Sequence, residues 1–153
     1  QVRQCTKCET EHYPRTDPVV ITVVTDGDRC LLGQSRGRLS RTNTYSALAG
    51  FVDQGESIEE AVAREIMEEA GIHVANVRYH SSQPWPFPFS LMIGCHADAA
   101  STEIDMDEGE MSDVRWFDRA EVLLSLEGKN DALTLPAPIA IAHHLIKTWA
   151  NGS

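Results

Sequence analysis

The alternation of apolar and polar positions cuts this chain into short strands and a few helices. Val19 to Val24 is a β-branched run ending at Asp26-Gly27, a hairpin turn signal, and Arg29 to Gln34 returns as the partner strand. Ser35 to Thr44 loses the pattern and turns polar and basic, which predicts a loop. Tyr45 to Val52 regains strand character. Ser57-Ile58-Glu59-Glu60 is a capping box, so a helix starts there. Ile58, Ala61, Val62 and Ile66 give it an apolar stripe, and Gly71 supplies a left-handed stop. Val74 to Ser82, Ser90 to Ala97 and Asp113 to Phe117 read as further strands, Asp118 to Leu126 as a short helix, and Ala137 to Ala150 as a final amphipathic helix. The order predicts an α+β fold with a mixed β-sheet between helices, residues 17–153 forming the main domain behind a small unit at 1–16.

Composition narrows the function classes. At 153 residues the chain makes one domain with a real core. Thirteen basic against 23 acidic residues leave a net charge of −10, which argues against a sequence-independent grip on nucleic acid. The same charge suits a site where cations bridge protein carboxylates to substrate phosphates. No apolar run reaches the length of a membrane span and no signal peptide opens the chain, so the expectation is a cytoplasmic protein without membrane partners. The cysteines do not read as a disulfide framework. Cys30 and Cys95 lie in apolar strand-like runs, and Cys5 and Cys8 are too close for an ordinary bridge. Cys5-Thr6-Lys7-Cys8 is instead one knuckle of a zinc ribbon. Structural Zn²⁺ needs four ligands; His12 offers a third, and the missing pair is expected upstream.

The chemistry concentrates between Gly50 and Ile72. Glu65, Glu68 and Glu69 stand at i, i+3 and i+4, so one helix face carries three carboxylates. Such like-charge pairs cost an isolated helix about 0.2–0.5 kcal/mol each, and no Lys or Arg follows four residues on. A solvated acidic face is the plain alternative. Hard divalent cations with oxygen ligands are the chemical compensation, and Mg²⁺ commonly brings a substrate phosphate with it. Gly50, Glu56, Arg64, Glu65, Ile66, Glu68, Glu69, Gly71 and Ile72 together match, at every fixed position, the box G-x5-E-x7-R-E-U-x-E-E-x-G-U that marks the Nudix hydrolases. The resemblance implies an α/β/α sandwich and Mg²⁺- or Mn²⁺-dependent hydrolysis of nucleoside diphosphates linked to another moiety.

A second array, Ser82-Gln83-Pro84-Trp85-Pro86-Phe87-Pro88-Phe89-Ser90, follows the box. Alternating prolines stiffen an extended backbone, which holds large rings with little entropy left to lose and suits a stacking wall. A proline-rich connector with its aromatics in the core or at a dimer interface is the competing reading. The array is similar to that of the NADH pyrophosphatase subfamily of Nudix proteins, with Phe89 at the free position, and the Tyr13-Pro14 step after the knuckle fits the same pattern.

That resemblance implies roles. Glu65, Glu69 and Glu68 would hold Mg²⁺ or Mn²⁺ with the carbonyl of Ala49 and a loop carboxylate, Glu110 by its place before the strand at 114–117. Asp107 and Glu108 are its neighbours, and solubility alone accounts equally well for such acidic loop residues. Arg64 would pair with Glu56 or a box carboxylate. Glu69 or Glu68 would take the proton from an attacking water. Tyr13 and Phe51 would sandwich a base, the stretch Gln83, Pro84, Trp85, Pro86, Phe87, Pro88, Phe89 and Ser90 would line the pocket, and Ala142 would offer a backbone contact. Cys5 and Cys8 would be half of the zinc site. The implied reaction cleaves NAD(H) to AMP and nicotinamide mononucleotide, some members acting on NAD-capped RNA, in a homodimer. The rivals are a Nudix hydrolase of ADP-ribose or a dinucleoside polyphosphate, a non-catalytic nucleotide-binding module, and a subunit that only dimerises. His143-His144, on the last helix, reads as surface.

Overall fold

The computed structural model describes residues 2–152, and of residue 38 the backbone alone. A small antiparallel pair, β1 (Arg3–Gln4) and β2 (Glu11–His12), carries the knuckle. The main sheet has six strands: β3 (Asp17–Asp26), β4 (Arg29–Ser35), β5 (Leu48–Phe51), β6 (Val74–Trp85), β7 (Ser90–Ala99) and β8 (Met111–Asp118). Their order is β6-β7-β3-β4-β8, with β5 added beside β3. β3 and β7 run parallel while the other pairs are antiparallel, so the sheet is mixed as expected. The helices are α1 (Arg38–Arg41), α2 (Ile58–Ala70), α3 (Arg119–Leu126) and α4 (Ile141–Ala150).

The period of two along β3 splits the core. Val20 and Val24 face α2, with Val62, Ile66 and Ala70, while Ile21 and Val23 face α4, with Leu145, Ile146 and Trp149. Helix therefore covers both faces of the sheet, giving the α/β/α layers. The capping box forms at the start of α2: Glu60 N–H donates to Ser57 Oγ (3.2 Å), and Ser57 N–H donates to the Glu60 carboxylate (2.8 Å). Gly71 ends the helix at φ 69°, the conformation glycine adopts without penalty.

Four boundaries differ from the sequence reading. The polar stretch 35–44 contains α1, a single turn too short to leave a periodic signature. Strand β5 covers only Leu48–Phe51, because Thr44 and Ser46 bridge instead to Thr134 and Gly33. Helix α4 starts at Ile141 rather than at 137, since Pro138 pushes Ala137 out of the helical region. Strand β6 runs on through Pro84 to Trp85, so the proline array is the tip of a β6–β7 hairpin rather than a free connector. β6 is the last strand of its sheet, and an edge strand tolerates a proline that cannot donate to the ladder.

Candidate active site

Strand β5 and helix α2 meet at Gly50. A Cβ there would lie 1.8 Å from Glu65 Cδ, so only glycine lets the carboxylate approach the strand. Arg64 then ties the box together. It donates to both oxygens of Glu56 (2.6 and 2.9 Å), to Glu65 (2.9 Å), to Glu68 (3.0 Å) and to the carbonyl of Phe51 (2.8 Å). The cation that offsets the acidic face thus comes from the N-terminal side, four residues before Glu68. Glu56 also accepts the Asp53 N–H (2.9 Å), and these bonds, led by Arg64, pull its carboxyl down to about 2.

The three helix carboxylates are not equivalent. Glu68 is largely exposed, Glu65 is nearly covered, and Glu69 is only 7% exposed. Burial, then the nearby Glu65 and Glu110 charges, push the Glu69 carboxyl up to about 8, against a hydrogen bond with the Ala49 backbone. Burial likewise raises Glu65, opposed by Arg64 and reinforced by Glu68 and Glu110. Glu69 Oε2 is buried without a hydrogen-bond partner among the described residues. Glu69 lines a cavity of about 130 Å³ whose walls include Ala49, Ser35, Leu39, Ser46 and Met111. A buried, unpartnered carboxylate oxygen normally costs several kcal/mol unless something completes it.

Glu110 is brought to this group by a turn pinned to the end of α2. Asp105 N–H donates to the Ala70 carbonyl (2.9 Å), and Asp107 N–H to the Glu69 carbonyl (3.4 Å). Asp107 closes the turn itself, its carboxylate accepting the Gly109 N–H at 2.6 Å. Ala49, Glu65, Glu69 and Glu110 are therefore neighbours. The donor set is all oxygen and suits a hard divalent cation, although no three His, Cys, Asp or Glu side chains among the described residues stand close enough to clasp one, Arg64 holding Glu65 and Glu68 to itself. The same holds for the knuckle: Cys5 and Cys8 are free thiols, and Cys8 Sγ lies 3.3 Å from Thr10 Oγ1.

The aromatic array sits at one end of the same sheet. Phe51 pairs with Val19, Val19 with Met92, and Met92 with Gln83, so one row crosses β5, β3, β7 and β6. Trp85 and Phe87 form a T-shaped pair (5.5 Å), Arg15 lies 4.6 Å over Phe89, and Phe87–Pro88 is cis. Phe51 is 55% and Tyr13 73% exposed, and neither ring pairs with Trp85 among the described residues. Tyr13 instead donates to Glu11 (2.7 Å). Gln83 also ties the array to the last helix: its amide donates to the Ile139 carbonyl and accepts the Ile141 N–H, both at 2.8 Å, which anchors α4 and the buried Ala142 beside the array. Polar cavity residues such as Ser46 carried no sequence signal, because nothing in their spacing distinguishes them from ordinary strand serines. His143 Nδ1–H donates to the Pro136 carbonyl (2.9 Å).

Comparison with known proteins matches residues 15–137 to the NUDIX domain. An NAD-capped RNA hydrolase, NUDT12 of Macaca fascicularis, is 54% identical over 140 residues, 90% of this chain and 30% of that protein. The mitochondrial NAD(P)H pyrophosphatase NUDT13 of Mus musculus is 46% identical, with 97% of this chain and 45% of that protein aligned. The NAD-capped RNA hydrolase NudC of Pseudomonas aeruginosa (strain LESB58) is 47% identical over 97% of this chain and 49% of its own length. The chain thus spans half or less of these relatives. A crystal structure of a Nudix hydrolase from Nitrosomonas europaea superposes with a TM-score of 0.76 at 21% identity, over 97% of this chain and 77% of that one, a likeness of fold.

Proposed function

This chain belongs to the Nudix family, and from that premise we propose that it hydrolyses the pyrophosphate bond of NAD(H), releasing AMP and nicotinamide mononucleotide, and removes the same group from NAD-capped RNA. The observation that carries the reading is the buried, unpartnered Glu69 Oε2 beside Ala49, Glu65 and Glu110, at the sheet end that also bears the proline–aromatic hairpin. The names of the 46–54% identical relatives support the choice of dinucleotide.

Ala49 through its carbonyl, Glu65, Glu69 and Glu110 would hold Mg²⁺ or Mn²⁺, which when bound screens phosphate charge and acidifies water. Glu69 takes the proton of the attacking water at Oε2, the carboxylate oxygen left without a partner, on a residue that lines the cavity. Arg64 keeps Glu56, Glu65 and the Phe51 carbonyl in fixed relation, so the base does not drift. Phe51 and Trp85 stack on bases, Tyr13 adds a further ring, and the remaining array residues shape the pocket. Gln83 acts by holding α4 and Ala142 in place. Cys5 and Cys8 are half of a structural Zn²⁺ site, and the exposed rings of the array meet a second copy in a homodimer. A cytoplasmic location fits the buried, unbridged Cys30 and Cys95.

The test is turnover of a panel of NADH, NAD⁺, ADP-ribose and dinucleoside polyphosphates with Mg²⁺ or Mn²⁺, with products separated by chromatography. AMP and nicotinamide mononucleotide in equal amounts are expected. Preference for ADP-ribose or a dinucleoside polyphosphate would move the substrate, and binding without turnover would leave a nucleotide-binding module.

A further inference from the structure

The chain's surplus of acid makes its unpaired cations informative. Among the described residues, ion pairs engage seven Lys and Arg side chains. Among the described residues, Arg36 and Arg41 have no carboxylate within 4 Å; Arg36 precedes α1 and Arg41 ends it. Arg3, Lys7 and Lys147 also lack one, but the first two lie in the knuckle and the third on α4.

The arginine segment is fixed against the acid turn. Arg36 N–H donates to the Glu110 carbonyl (2.9 Å), and its Nε to the Glu108 carbonyl (2.6 Å). The segment is closed on itself by Gln34 Nε2 donating to Asn43 Oδ1 (2.9 Å) and Thr44 N–H to the Leu39 carbonyl (3.0 Å). Ser35 and Leu39 from the same stretch wall the cavity that Glu69 also lines. The exposed Arg36 side chain therefore stands beside the turn that delivers Glu110, with the exposed Arg41 at the end of the same segment, on the opposite side of β3 from the β6–β7 hairpin.

We propose that the segment from Arg36 to Arg41 is the track for the ribose–phosphate strand of a capped RNA as it leaves the cradle. This rests on the NAD-cap reading of the site. A dinucleotide ends inside the pocket and has no phosphates beyond its pyrophosphate, whereas capped RNA adds one per nucleotide. Arginine suits this task because its planar fork pairs phosphate oxygens in two-point fashion. Two such contacts are also what an overall acidic protein needs to admit RNA at one edge without holding nucleic acid generally.

The experiment compares the full chain with R41Q and R41K, on NADH and on an NAD-capped single-stranded RNA, across a salt series. Arg41 is the residue to change because the Arg36 guanidinium also bonds the Glu108 carbonyl in the turn that carries Glu110. In R41Q, kcat/KM for capped RNA should fall about fivefold, and its salt dependence should weaken by about 0.7 in log–log slope. Turnover of NADH should stay within about twofold, since exposed surface charges contribute little elsewhere. R41K keeps the charge and should recover most of the loss. Equal effects on both substrates, or none on capped RNA, would overturn the proposal. Anisotropy of a labelled 5′-phosphorylated RNA, titrated with the full chain and with R41Q, reads RNA binding apart from turnover. Should the chain turn over no dinucleotide at all, weaker RNA binding by R41Q would still support the track, and unchanged binding would end it.

Discussion

The carboxylate cradle and the proline–aromatic hairpin occupy the same sheet end but are finished to different degrees. In the cradle Arg64 reaches Glu56, Glu65, Glu68 and the Phe51 carbonyl, Gly50 makes room for Glu65, and Glu69 Oε2 stays unpartnered among the described residues. In the hairpin the rings touch mainly each other, and Phe87, Phe51 and Tyr13 stay more than half exposed. The carboxylates are thus ordered within this chain, while the aromatic surface is left open to a ligand or a second copy. A preorganised electrostatic site is where large catalytic factors come from; an exposed stacking surface supplies binding.

The comparison breaks first at Glu69. Glu69→Gln keeps the shape but removes the base, and kcat should drop by about 10²–10⁴ with little change in KM. Near-normal kcat would remove Glu69 from the chemistry. Gly50→Ala is next. Its methyl would displace the Glu65 carboxylate, and a misplacement of about 1 Å typically costs on the order of 10² in rate. If Gly50→Ala turns over normally with a normal melting temperature, the cradle is less tightly built than its geometry implies. Trp85→Ala probes the other side. Loss of one stacking partner is worth about 1–3 kcal/mol, read as a higher KM for the dinucleotide with kcat nearly kept. If Trp85→Ala leaves KM alone and instead splits a dimer in sedimentation, the hairpin is an interface and not a base platform.

The two regions also differ in how much their residues announced. The cradle was legible because its parts are covalently local: nine fixed positions on one strand–loop–helix unit, where helical spacing alone brings the carboxylates together. Glu110 was reachable by its position before β8, but the backbone bonds from Asp105 and Asp107 to the end of α2 were not, since they depend on tertiary approach. The hairpin was half legible. Its prolines announced a stiff segment, yet the antiparallel pairing of Pro84 with Leu91 follows from β6 being an edge strand, a fact of sheet order rather than of local pattern. The partners of Gln83 at Ile139 and Ile141 were hidden for the same reason, because they lie far along the chain. The helix start at Ile141 was recoverable from Pro138.

Acidity sharpens the contrast with the smallest effect, because the two sides respond with opposite sign. Glu69 in the folded, metal-free chain titrates at about 8, above the ordinary carboxylate value. Between about 4.3 and 8 the folded state holds a proton that the unfolded state has lost, so stability falls as pH rises through that window. On the α4 side, His96 bonds the Leu145 carbonyl (3.0 Å), and its ring stands 5.3 Å from His80, whose Nε2 lies 3.2 Å from Thr148 Oγ1. Burial, and behind it His80 and Arg78, hold His96 below its usual value despite the Leu145 bond. There the unfolded state takes the proton first, so stability is full above about 6.5 and is lost as pH falls through the folded value. Between the folded His96 value and about 6.5 Glu69 gains on acidification what His96 loses, so melting curves of the metal-free chain should be nearly flat there and fall by a few degrees toward alkaline buffer. Glu69→Gln should remove the alkaline fall and expose a loss on the acid side, whereas His96→Asn should extend the fall across the whole span from about 4.3 to 8. A single substitution that abolished both trends would mean that the two faces of the sheet titrate as one unit, and the contrast between them would be lost.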